Sequence, residues 1–198
     1  MIIKKGTIMK DDRQKNSFEY YRKAGTDLIL RTIQKGDLLE LWEVSYGPQA
    51  DLEWMAFNGP YFQDSVLSWE EFSEKTTSKI NQTNFALISF KNRIIGSLSS
   101  SWVDGKLQKW LEFGIVIYDS KMWGQGIGQK VIPSWMEELF KNYPEIQHLG
   151  FTTWSGNPGM MKLGEKCGLQ LEGRIRKVRF WQEEWHDSVK YGILREEQ

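Results

Sequence analysis

Apolar positions along this chain repeat with two different periods, and the period marks the element. DLILRTI at 27–33, FALISF, IIGSLSSSW, KWLEFGIVIY and IQHLGFTTW are short, rich in β-branched and aromatic residues, and predict strands. Within the fourth run Leu111, Phe113, Ile115 and Ile117 point to one face, and Trp110, Gly114 and Val116 to the other. A strand apolar on both faces belongs in the middle of a covered sheet. The turn residues Lys91-Asn92 and Asp104-Gly105 predict that FALISF, IIGSLSSSW and KWLEFGIVIY form an antiparallel meander.

Helical periodicity appears four times. Leu38, Leu41 and Trp42 share a face behind Asp37, the expected N-cap. Ser68 with Glu71 forms a capping box, and Leu67 with Phe72 its apolar staple, for a helix from Trp69 through SWEEFSEKTTSKIN. Val131, Ile132, Trp135, Met136, Leu139 and Phe140 form one stripe across Pro133, where a kink is expected. NPGMMKLGEKC predicts a helix with Asn157 as N-cap, Pro158 in the first turn and Gly168 just past its end. VSYGPQADLEWMAFNGPYF, aromatic and broken by Gly and Pro, predicts short helical turns and loops; Leu169 to Leu194 predicts a long hairpin turning near Gln182 to Glu184. The order is therefore a meander, then strand, Gly-rich turn, helix and strand: a mixed α/β sheet in which a right-handed crossover joins two parallel strands. Residues 1–25, polar and weakly periodic, are set apart as an N-terminal extension to a domain at 26–198.

Composition narrows the function. Lys plus Arg and Asp plus Glu both number 26, so no net charge points to nucleic acid or an anionic membrane. No apolar run approaches spanning length and the first residues do not resemble a signal peptide, so a soluble, cytoplasmic protein is expected. One cysteine, Cys167, and two histidines, His148 and His186, leave little for a metal site or a Ser/His triad, and none is expected. Ten tryptophans must line a core, a cleft or a partner surface.

The chemistry-bearing motif is WGQGIG, Trp123 to Gly128, placed between a strand and a helix. A helix N-terminus presents unpaired N–H groups and about half a positive charge, enough to hold a phosphate or pyrophosphate without lysine. Gly124, Gly126 and Gly128 would permit close approach. No Lys-Ser or Lys-Thr follows, so this is no P-loop, and G-x-G-x-G is not the dinucleotide G-x-G-x-x-G. A turn that merely lets helix and strand pack closely remains the plain alternative.

EFGIVIYDSKMWGQGIGQKVI resembles the signature segment of the GNAT superfamily of acyl-CoA-dependent N-acetyltransferases, with the pyrophosphate loop pattern falling on Trp123, Gly126 and Gly128. An aromatic residue at the first loop position is similar to the RimJ/RimL-like branch, as are the Asn-started helix, Glu-Lys-x-Gly and Glu-Gly-x-x-Arg of NPGMMKLGEKCGLQLEGRIRK. The resemblance implies a GNAT-like fold with splayed central strands, and acetyl-CoA held along Ile115, Val116, Ile117 and Thr152, with Trp123, Gly124, Gln125, Gly126, Ile127, Gly128 and Gln129 around its pyrophosphate and Asn157 in contact. It implies acetyl transfer to a primary amine, a protein N-terminus or a small molecule, by direct attack. A binding module that keeps acyl-CoA recognition without turnover is the alternative, and a homodimer is one assembly the sequence leaves open.

An alkylamine is mostly protonated near neutral pH, so a base is needed. Glu112, the sole acid in an apolar strand, is the candidate, and matches the position of a glutamate base in several GNAT enzymes; a buried ion pair with a neighbouring strand is the equal alternative. Where many relatives carry a Tyr or Ser to protonate the leaving thiolate, Gly164 and Met160 stand here. Cys167 is expected to be a small buried hydrophobe. Trp54, Phe57, Tyr61, Phe62 and Trp69 are candidates to wall an acceptor cleft, although most of them are expected to be core of the helical layer, and Asp51, Glu53 or Asp64 could steer a basic acceptor, although loop carboxylates usually just face water.

Overall fold

A computed structural model describes residues 19–22 and 27–198. One mixed sheet of eight strands runs through them: β1 (Glu19–Arg22), β2 (Leu28–Thr32), β3 (Phe85–Phe90), β4 (Arg93–Trp102), β5 (Leu111–Ile117), β6 (His148–Trp154), β7 (Gln170–Trp181) and β8 (Glu184–Leu194), in the order β1-β2-β3-β4-β5-β6-β8-β7. Every neighbouring pair is antiparallel except β5 and β6. Part of the segment assigned to the extension, Glu19–Arg22, is therefore an edge strand of the sheet; the rest of residues 1–25 lies outside the described residues.

One face of the sheet is covered from β2 to β8, and the other over β3, β4 and the end of β5, where apolar residues point both ways. On one side Ala86, Ile88, Leu98, Leu111, Phe113, Phe151 and Tyr191 pack against the stripe of α3 (Ile127–Asn142), where Val131, Ile132, Trp135, Met136, Leu139 and Phe140 are all buried, and against α4 (Pro158–Lys166). The helix runs from Ile127 to Asn142 through Pro133. On the other side Phe85, Leu87, Ile94 and Tyr118 pack against α1 (Leu38–Ser45), α2 (Trp69–Thr77) and Trp54. Among the described residues the second layer meets the middle of the sheet at Val116 and at Tyr118 just past β5, and no α-helix stands over the Glu112 side of β5, β6 and β8.

Local signals explain most boundaries. Ser68 and Glu71 make the reciprocal capping box, at 3.2 and 2.9 Å, and α2 then ends at Thr77, short of the full SWEEFSEKTTSKIN run. Asn157 caps α4 by accepting from the Met160 N–H at 3.0 Å, and Gly168 takes the left-handed conformation after it. Lys91 and Asn92 both have positive φ in the β3–β4 turn, as do Gln182 and Glu183 in the β7–β8 turn. The aromatic segment forms two 3-10 helices, Leu52–Ala56 and Pro60–Phe62.

Asp37 departs from its expected role. It is fully buried and makes no side-chain cap for α1; its carboxylate takes both guanidinium nitrogens of Arg31, at 2.6 and 2.8 Å, and the Gln34 N–H at 2.8 Å. A 3-10 turn at Lys35–Asp37 leads directly into α1, so the chain is already helical where a cap would have to be extended.

Candidate active site

The parallel strands β5 and β6 are joined at two residue pairs, Leu111 with Leu149 and Glu112 with Gly150, and then separate. Even-numbered main-chain groups of β5 face β4: the Tyr118 N–H donates to Ile95 C=O and Trp110 C=O accepts from Val103 N–H. The N–H and C=O of Ile115 and the N–H of Ile117 therefore face the gap. The same reasoning on β6, whose Gln147 C=O accepts from Arg195 N–H and whose neighbour Ser155 donates to Asp187 C=O, turns the Thr152 main chain toward the gap from the other side. Val116, expected with Ile115 along the acetyl-CoA path, instead bonds toward β4 and places its side chain in the second core.

At the mouth of the gap the chain turns through Trp123 to Gly128. Gly124 and Gly126 both have φ of 72°, the left-handed region where glycine is favoured, and a Cβ on either would meet no atom within 4 Å. Helical bonding begins with the Lys130 N–H to Gly126 C=O, leaving the N–H groups of Ile127, Gly128 and Gln129 in the unbonded first turn. Open space beside exposed amides fits a diphosphate. Gly128 has another purpose: a Cβ there would lie 2.7 Å from Leu163 Cδ2, so its smallness lets α3 approach α4.

Trp123 turns inward. Its indole N–H donates to Ile117 C=O at 2.9 Å and its ring meets Phe57 edge-on at 5.4 Å, so at this loop position the side chain holds the strand end. The Gln125 amide donates to Lys121 C=O at 2.7 Å. Asn157 uses its carbonyl on the α4 cap and its amide on Phe57 C=O at 3.2 Å, an oxygen that also accepts from Trp154 Nε1 at 3.2 Å. That single carbonyl ties the first 3-10 segment to the end of β6.

Glu112 lies on the uncovered face as one corner of a closed ring. The Lys190 ammonium donates to Glu112 at 3.0 Å and to Thr152 at 2.7 Å, and the Thr152 hydroxyl donates to Glu112 at 2.9 Å. Lys190 also stands 4.8 Å over the Trp110 ring. An ion pair does hold Glu112, but its partner stands on β8, two strands away, not on the expected neighbouring strand, and the pair is partly exposed, at 17% for Glu112 and 29% for Lys190.

Beyond Thr152 on the same face, Trp154 begins an aromatic wall. Its ring meets Tyr61 at 5.8 Å and His186 at 4.8 Å, both edge-on. A cleft of about 410 Å³ lies between Phe57, Trp154, Trp181 and His186, and a second of about 430 Å³ between Tyr46, Trp54, Asp64 and Trp181. Of the aromatic candidates, Trp54 is buried core that shows an edge to the second cleft, and Trp69 packs on Trp42 at 5.9 Å as part of the helical layer. Phe57 lines the first cleft, while Tyr61 and the exposed Phe62 stack with Arg179, whose guanidinium lies 4.9 and 5.5 Å from their rings. No pattern in the sequence assigns Trp181, His186 and Arg179 to a cleft; the signal there is the density of aromatic and charged residues at the predicted hairpin turn.

The acids divide by role. Asp51 is occupied: it accepts from the Glu53 N–H at 3.1 Å and the Ser120 N–H at 2.9 Å, and the hydrogen bonding from Ser120 holds its carboxyl below the usual range. Asp64 faces the second cleft beside Tyr46, whose phenol is pushed up chiefly by burial and secondly by that carboxylate. Burial raises the Cys167 thiol to about 11, consistent with a packing role beside α4. Gly164 is buried, and a Cβ on it would strike the Phe151 ring, with Tyr191 adjacent. Among the described residues no cluster could hold a metal ion.

A sequence model of the acetyltransferase (GNAT) domain matches residues 27–170. An uncharacterized N-acetyltransferase YokL, derived from the SPbeta prophage of Bacillus subtilis, is 24% identical over 174 residues, covering 88% of this chain and 93% of that protein. Among solved structures, spermidine N-acetyltransferase from Vibrio cholerae, in complex with CoA and spermine, superposes with a TM-score of 0.68 at 20% identity, over 86% of this chain and 97% of that one. RimL, a ribosomal L7/L12 alpha-N-protein acetyltransferase in complex with coenzyme A, gives 0.66 at 19%, over 88% and 97%. The two structures share the fold; at these identities they leave the acceptor open.

Proposed function

This chain belongs to the acetyltransferase (GNAT) domain family, and we propose that it moves an acetyl group from acetyl-CoA to a primary amine by direct attack, without an acyl-enzyme. The parting of β5 and β6 after Glu112 and Gly150 carries the reading. It leaves main-chain donors and acceptors of Ile115, Ile117 and Thr152 facing one another across a gap, and the amides of an amide-bearing pantetheine arm satisfy such groups. The donor is acetyl-CoA, its diphosphate set against the open turn at Gly124 and Gly126 and the first-turn amides of Ile127 to Gln129. An Ile115 N–H directed at the thioester carbonyl would stabilise the oxyanion that forms on attack.

The amine comes from the uncovered face, past Phe57, Trp154 and His186. Aromatic walls with Asp64 and Glu184 at their rims suit a cationic acceptor, either a small amine or a protein N-terminus. Glu112 takes the proton from the attacking nitrogen, directly or through water, with Thr152 and Lys190 fixing its carboxylate. Gly164 has no side chain with which to protonate the leaving thiolate.

That same Gly164 favours the second reading, an acyl-CoA-binding module of this fold without turnover. Calorimetric titration with acetyl-CoA, CoA, NAD and ATP tests the donor site: acetyl-CoA and CoA should bind, and tight NAD binding without CoA would overturn both readings. An amine panel with thiol-release detection then separates them. Turnover that Glu112→Gln abolishes without changing CoA affinity supports the enzyme, and CoA binding with no turnover on any amine supports the module.

A further inference from the structure

Gly114 lies inside β5, opposite Ser99 of β4, and the fold gives it no reason to be glycine. Its φ is outside the left-handed region, and a Cβ built on it would meet only Ser99 Oγ, at 3.9 Å, which is ordinary contact. The other glycines of the central strands are explained by crowding: a Cβ on Gly96 would strike Val116 C=O, one on Gly150 the Tyr191 C=O, and one on Gly192 the His148 ring. Gly173 is also open, but it sits beside a register shift on the edge strand. Glycine in a strand interior is less stable than alanine, and where neither φ nor packing requires it, a close-approaching ligand is the remaining physical reason.

The position supplies that ligand. Gly114 is the first residue of β5 past Glu112 whose Cβ direction is the Glu112 face, and it lies beyond the last pairing with β6, where the gap has opened. Its slot has Ser99 on one bank, Glu112 and Val116 before and after it along the strand, and the Thr152–Lys190 pair across the gap. A nucleophile arriving from the uncovered face must cross this point to reach a thioester held between the strands.

We propose that Gly114 is a specificity-determining position whose missing side chain forms the slot for the acceptor nitrogen and its first carbon, an inference that rests on the acetyltransferase reading. A slot one side chain wide, closed along the strand by Glu112 and Val116, fits an unbranched aminomethyl group and excludes an amine carbon that carries two substituents. The preferred acceptors are therefore primary amines of the type R–CH2–NH2, and an amino-acid α-amine is a poor one.

The test compares n-butylamine and propane-1,3-diamine with alaninamide on the parent, Gly114→Ala and Gly114→Val, with acetyl-CoA affinity by calorimetry and thermal melting on each. The parent should favour the unbranched amines. Gly114→Ala should lose roughly 10- to 100-fold in kcat/KM for them, and the valine variant more, while acetyl-CoA affinity holds. The melting temperature of Gly114→Ala should stay level or rise, because the backbone is compatible with alanine and the space is free. Parent-like kcat/KM in Gly114→Ala, or equal use of alaninamide by the parent, overturns the inference and leaves the acetyltransferase reading standing. A parent that binds no acetyl-CoA overturns that reading and this inference with it.

Discussion

Lys190 reaches Glu112 at 3.0 Å from two strands away, and Thr152 of the strand between them bonds to both. No local pattern brings a β8 cation to a β5 acid; the register does, by setting Thr152 against Lys190.

Glu112→Gln should lower kcat for amine acetylation by about 100-fold or more, the usual worth of a positioned base. Stability should fall by no more than about 1 kcal/mol, since a partly exposed pair contributes little. Lys190→Met should also lower kcat, and the double variant should be no worse than Glu112→Gln alone, because both act through one carboxylate. Thiol-release kinetics and thermal melts on all three variants check this.

The loop glycines should separate by mechanism. Gly126→Ala forces a side chain into φ of 72° and should cost about 1–2 kcal/mol while weakening acetyl-CoA binding. Gly128→Ala should cost about 1–3 kcal/mol through collision with Leu163, and the penalty should shrink when Leu163 is shortened to Val. Urea denaturation of the single and double variants measures both effects; no relief from Leu163→Val would contradict the packing role of Gly128.

Asp187 pins an irregular stretch of the hairpin, where the register of β7 shifts between Ile175 and Arg179. Its carboxylate accepts from Arg174 Nε at 2.6 Å and the Lys177 N–H at 2.9 Å, and these bonds, Arg174 first, hold its pKa below the ordinary carboxylate value. A carboxyl with a depressed folded pKa stabilises above its unfolded pKa and loses that contribution as pH falls through the folded one. Local order should therefore weaken only below about pH 4, and Asp187→Asn should weaken it at neutral pH. Amide exchange at Lys177, followed by NMR, reports both.

Cys167 should be nearly inert. With its thiol at about 11, the thiolate fraction at about pH 8 is roughly 100-fold smaller than for a thiol at the ordinary value. Alkylation by iodoacetamide should be slow at neutral pH and accelerate toward about pH 11, with the fold intact. Rapid labelling at neutral pH would place the sulfur outside the α4 packing.

The signals that the sequence carried well are the local ones. A capping box at Ser68 and Glu71, an Asn-Pro start to α4 and a Trp-Gly-Gln-Gly-Ile-Gly turn each satisfy their own backbone within a few residues, so their geometry follows from composition. Asp37 failed because its demand is not local: Arg31 from β2 claims the carboxylate that a helix start could have used. Gly128 looks like its two companions in the sequence, but it lies inside α3 without their left-handed backbone and is crowded by Leu163 from α4. The cleft shows the same limit, since Trp181 and His186 come to Phe57 and Trp154 by the return of the C-terminal hairpin.

Because β1 to β5 are joined to β6, β8 and β7 by two residue pairs, the sheet is two panels meeting at a short seam. Every other boundary between strands is laced along most of its length. Main-chain bonding across the sheet is therefore thinnest along this line, and a group lodged there would act as a rivet, making mechanical rigidity a property of occupancy as well as of sequence.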